Sequence, residues 1–77
     1  MEATLVDIMH IAHETDPSLH VGAGVDASGP YLAFIGQTRH GRPVAFRVSL
    51  SQEERPLAWW RAVIGMKWRY FAGRRMG

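Results

Sequence analysis

Cysteine is missing from this chain of 77 residues, which excludes a disulfide framework and any thiolate metal site and suits a reducing compartment. No apolar run approaches the roughly 18 residues needed to span a bilayer, and the acid-bearing start, MEATLVDIMHIAHE, lacks the basic flank of a signal peptide. The chain is therefore read as a soluble, unprocessed, cytoplasmic protein with no membrane partner. Lysine is nearly absent too: eight of the nine bases are arginine, the side chain suited to forked contact with carboxylate or phosphate. Catalytic signatures are lacking as well, since no Ser-His-acid order, phosphate loop or nucleotide fingerprint occurs. Neither an enzyme nor a bound cofactor is expected.

Charge is unevenly spread. Residues 1–38 hold five acids and no Lys or Arg, a balance of −5, whereas residues 39–77 hold nine bases and two acids, a balance of +7. Such polarity marks either a basic binding face or two halves that face each other in the fold or in a dimer. A single domain of this length buries only a modest core, so a homodimer belongs among the expectations.

The richest stretch is Pro56 to Arg75, PLAWWRAVIGMKWRYFAGRR, with all three tryptophans and more than half of the bases. At about 100° per residue, Leu57, Trp60, Ile64, Trp68 and Phe71 form one apolar stripe, and Trp59, Val63, Met66 and Tyr70 form a second well around the cylinder. A short chain covers one stripe with its own core, which leaves the second for a partner. Ala58, Ala62, Gly65, Arg69 and Ala72 line a third, small-residue side that would admit a close helix, from the same chain or another copy. The alternative for residues 66–72 is a fourth strand after a break at Gly65.

Ahead of this stretch, Leu5, Ile8, Met9 and Ala12 recur on one face of a helix over residues 3–14, with Val6 and Ile11 on its flanks. Asp16-Pro17 ends it. Leu19, Val21, Ala23 and Val25 alternate with His20, Gly22 and Gly24, the pattern of a strand with one buried face. Asp26 to Pro30 is turn chemistry, and two apolar runs, 31–39 and 42–50, flank His40-Gly41, read as a two-residue hairpin loop. That register pairs Ile35 with Phe46, Ala33 with Val48 and Tyr31 with Leu50 on an apolar face, and leaves Leu32, Phe34 and Arg47 on a mixed, half-exposed one. Pro43 belongs on an edge. Ser51-Gln52-Glu53-Glu54 fits a capping box, with the last helix starting at Pro56 or kinked there.

The expected fold is a small single α+β domain over 1–77, order α-β-β-β-α, a three-stranded antiparallel meander packed on one or two helices, frayed at 1–2 and 74–77. That order resembles the double-stranded-RNA-binding domain over most of the chain. Members of that family grip phosphate with a Gly-Pro-His loop and a lysine cluster opening the second helix. Here Gly29-Pro30 is followed by Tyr31 and the helix opens with Glu53 and Glu54, carboxylates that occupy the place of an anion.

Function follows from the surplus stripe: stoichiometric binding of a protein or nucleoprotein complex through a basic, aromatic helix, with Trp59, Arg61, Lys67, Arg69, Tyr70 and Arg74 as contact residues. Phe34 and Arg47 on the hairpin are the alternative site. In general type, a very small chain of this kind is similar to phage inhibitors of host defence, the anti-CRISPR proteins among them. The competing reading is a small nucleic-acid-binding module or regulator, with the bases on phosphates and the rings stacked on bases. His10, His13 and Glu14, with Asp7 one turn earlier, share a helix face as metal ligands would, joined by His20 or His40, but HxxHE is equally an ordinary solvated pattern. No metal is expected.

Overall fold

The computed structural model describes residues 3–50 and 55–73. Within them lie α1 (Leu5–Thr15), β1 (His20–Asp26), β2 (Gly29–Gln37), β3 (Pro43–Ser49) and α2 (Leu57–Ala72). The strands form one antiparallel sheet in the order β1-β2-β3, and both helices lie on the same face of it.

Helix α1 starts at a capping box absent from the sequence reading. The Asp7 amide donates to Thr4 Oγ1 at 3.2 Å, and the Thr4 amide donates to Asp7 Oδ2 at 3.0 Å. Aspartate here does what glutamate usually does in this motif. The buried residues of α1 are Ile8, Ile11 and Ala12, while Leu5, Val6 and Met9 remain exposed. The core arc is thus rotated from the expected one toward Ile11, because α1 leans on α2 as well as on the sheet, with Glu14 reaching Arg61 at 3.3 Å.

The hairpin register differs from expectation by one residue. Phe34 pairs with Phe46, Leu32 with Val48 and Ala33 with Arg47. A two-residue loop at His40-Gly41 requires left-handed backbone at His40, yet among the described residues none other than glycine has positive φ. The chain instead turns through Arg39, His40 and Gly41, with Gly41 at φ 81°. Thr38 closes this turn three times: its carbonyl accepts from Gly41 N–H, its amide donates to Arg42 O, and its hydroxyl accepts from Arg42 N–H.

One step of slip sends every side chain of β2 to the opposite face relative to β3. Val44, Phe46 and Val48 keep their expected place in the core, but Leu32 and Phe34 now join them there and Tyr31, Ala33 and Ile35 point away from it. The expected half-exposed position of Phe34 is overturned: it is 0 % exposed and stacks on Phe46 with centroids 5.1 Å apart. Phe71 continues the stack, 6.0 Å beyond Phe46, and so carries α2 onto the sheet. Trp60 and Ile64 complete the seat at 4 % and 0 % exposed. Residues 66–72 are helical, which settles against a fourth strand, and Pro56 takes the N-cap position without a side-chain bond. The Ser51–Glu54 capping box lies outside the described residues.

Strand β1 departs from expectation as well. Leu19 before it is buried and Val21 is half-buried, but Ala23 and Val25 are exposed, so the helices do not extend over this edge.

Candidate interaction face on the second helix

Helix α2 has no charge in its first turn and no side-chain cap, so its position is set by what it buries. With Trp60, Ile64 and Phe71 turned to the sheet, the second stripe, at i, i+4, i+7 and i+11, faces away. Trp59 and Val63 are half-buried at its base, while Met66 and Tyr70 are 55 % and 61 % exposed. The rings are ordered by neighbours. Trp59 meets Trp60 edge-on at 5.1 Å, the Arg55 guanidinium lies 5.2 Å from the Trp59 ring centroid, and Tyr70 meets Phe71 edge-on at 4.9 Å. An exposed apolar strip with rigid aromatic ends and cations beside it has the composition of protein interfaces.

Four of the six contact residues expected from sequence converge here. Trp59 and Tyr70 belong to the strip; Lys67 flanks it near Val63, and Arg69 flanks it near Met66 on the other side. Arg61 does not join them, because it lies on the α1 side of the helix and pairs with Glu14. Arg74 lies outside the described residues. The expected basic face is therefore divided around the cylinder, and Arg61 joins the basic half of the chain to the acidic half. Val63 and Met66 belong to the strip though neither is among the expected contacts; their place in the second stripe is the signal that points to them.

The small-residue side of α2 holds no second helix. Ala58 and Ala62 are exposed, and the closest atom to a side chain built at Gly65 would be Nη1 of Arg69, at 3.4 Å.

The alternative pair, Phe34 and Arg47, is split between opposite faces of the sheet. Arg47 lies on the uncovered face, donates to Asp26 Oδ2 at 3.1 Å and rests 4.8 Å from the Tyr31 ring centroid. The Tyr31 ring in turn lies over Gly24, where a Cβ would come within 2.5 Å of its hydroxyl. Three strands are thereby strapped together.

Along the other flank, Val6, Met9, Leu19 and Val21 with His10, His13 and His20 line a groove of about 360 Å³ between α1 and β1. Among the described residues no group of three or more His, Asp or Glu is placed to hold a metal ion. At the start of α1, the backbone and then the side-chain hydrogen bond with Thr4 hold the Asp7 carboxyl below the ordinary 3.8. Among the described residues no helix is long and apolar enough to cross a membrane.

Compared with known protein families, curated proteins and solved structures, the chain matches none, so the roles of its residues rest on their own geometry.

Proposed function

We propose that this is a non-enzymatic binding protein that acts stoichiometrically on a macromolecular partner through the solvent side of α2. The observation that carries the reading is the exposure of Met66 and Tyr70 in line with Trp59 and Val63, beside a core already filled by the other stripe. The partner is a protein, alone or in a nucleoprotein complex. It offers an apolar centre for the strip and carboxylates for Arg55, Lys67 and Arg69. Pairing of Arg61 with Glu14 removes one cation from that side, which favours an apolar contact with a charged rim over a phosphate-tracking groove. Small size and stoichiometric action are shared with phage-type inhibitors of host defence, including anti-CRISPR proteins, and the reading extends to that type without assigning it a target.

The test compares capture from nuclease-treated host lysate by the wild-type chain, by Met66→Glu and by Ala45→Glu, whose site is on the opposite side of the sheet. A partner held by the wild type and by Ala45→Glu but lost with Met66→Glu supports the face. Equal capture by all three moves the site off α2. Titration with labelled duplex and single strands at two salt concentrations examines the alternative reading: a steep logarithmic slope, about −0.9 per phosphate neutralised on duplex, would make it a nucleic-acid module.

A further inference from the structure

Among the described residues the edge strand β1 is paired on one side only, and the hydrogen-bond pattern identifies which of its groups face outward. Thr38 N–H donates to Arg42 O, and Leu50 N–H donates to Pro30 O, so the even-numbered residues of β2 bond to β3. Alternation then turns the odd-numbered residues of β2 toward β1. Their partners are His20, Gly22 and Gly24, which leaves the N–H and C=O of Val21, Ala23 and Val25 directed to the open edge.

Open edges are commonly blunted by proline, lysine, a bulge or a charge. On β3 this is done: its outward positions include Pro43, which has no N–H, and Arg47. Along β1 nothing of the kind occurs between Val21 and Val25, and its seven pairs with β2 run without a bulge. The strand reads His20-Val21-Gly22-Ala23-Gly24-Val25-Asp26, a sequence that mirrors itself about Ala23. Laid antiparallel on a second copy, it sets Val21 against Val25, Gly22 against Gly24 and Ala23 against itself. The ends meet as His20 against Asp26, a histidine opposite a carboxylate on the same face of the sheet. The outward groups fall in register, since Val21, Ala23 and Val25 all occupy hydrogen-bonded pair positions in this arrangement.

We propose that β1 pairs with β1 of a second copy about a two-fold axis through Ala23, forming a continuous six-stranded sheet. This interface is separate from the face proposed on α2. It accounts for two exposures that the single chain leaves open. Val25 is 77 % exposed, and pairing sets it opposite the partner's Val21, in the groove that Val6, Met9 and Leu19 line. The groove between α1 and β1 receives the partner's valine, twice by symmetry, and the interface closes on itself as a two-fold contact must.

Sedimentation of the full chain from low micromolar to millimolar concentration tests this, with variants that leave the monomer intact. The wild type is expected to form a reversible dimer. Val25→Lys, at an exposed site, should be monomeric throughout with an unchanged unfolding midpoint at low concentration. Ala23→Cys should give a disulfide-linked dimer under mild oxidation, because residues opposed in such a pair have Cα atoms about 5.5 Å apart; Ala45→Cys, on the β3 edge, should not. His20→Glu should weaken dimerisation at least tenfold, and His20→Lys should not. A wild type monomeric at millimolar concentration overturns the proposal, as does a dimer that survives Val25→Lys or one abolished instead by Met66→Glu, which would place the contact on α2.

Discussion

The guanidinium of Arg42, in the hairpin between β2 and β3, donates to the carbonyl oxygen of Phe71 in the last turn of α2 at 2.9 Å. The same nitrogen also donates to the carbonyl of Ala72. The final carbonyls of a helix have no partner within it, and a cation among them is favourable to the helix dipole as well. Replacing Arg42 by alanine should therefore cost about 1–3 kcal/mol. The loss would appear in the urea midpoint and as faster amide exchange in the last turn of α2. Arg39→Ala, on the same hairpin but exposed, should change neither; equal losses in both variants would remove the cap.

The two stripes of α2 should separate by their energetics. Trp60→Ala, at a buried site in contact with the core, is expected to cost about 3–5 kcal/mol. Met66→Ala should remain within about 0.5 kcal/mol, as is usual for exposed positions. Thermal unfolding of the two variants measures this directly, and comparable losses would show Met66 to be covered in the free protein.

Glycines two apart on β1 should respond oppositely. A Cβ at Gly24 would meet the Tyr31 ring, whereas at Gly22 nothing lies within 4 Å. Gly24→Ala should cost about 1–3 kcal/mol by lifting Tyr31 from beneath Arg47. Gly22→Ala should be neutral or stabilise by about 0.4–1 kcal/mol through reduced freedom of the unfolded chain. Chemical denaturation at low protein concentration decides the order of the two.

Acid should weaken the start of α1. The folded carboxyl of Asp7 is held below its ordinary 3.8 by Thr4, so its contribution is present above that value and is lost as pH falls through the lower, folded one. Asp7→Asn should accordingly be less stable than the wild type at neutral pH, with the difference closing in acid. Paired urea titrations along the pH scale measure it; a gap that persists at the acid end would refute the assignment.

Element order was legible in the sequence because each element carries its own period and its own stop: Asp16-Pro17 after α1, Ala27-Ser28 between β1 and β2, Pro56 before α2. Docking of α2 through Trp60, Ile64 and Phe71 was legible for the same reason. The sheet register was not. Both faces of β2 are apolar, Tyr31, Ala33 and Ile35 on one and Leu32 and Phe34 on the other, so the pattern alone does not choose between them. The choice lies in Thr38, whose hydroxyl closes a three-residue loop. Within the candidate site, the surplus stripe was visible from spacing alone. The departure of Arg61 toward Glu14 was not, since it depends on how α1 lies beside α2.

The meander has a consequence for the order of assembly. Among the described residues each strand pairs only with its neighbour in sequence, so both hairpins close over short loops at small entropic cost. The contact between Glu14 and Arg61 spans 47 residues, and the closure cost grows with that length. The hairpins and the Phe34–Phe46 stack are therefore expected to form by the transition state, and the two helices to meet after it. Truncating Phe46 should slow refolding, whereas truncating Ile8 should chiefly hasten unfolding, and the two arms of a chevron plot separate these effects. On that order the two helices would close as a late latch on an early sheet.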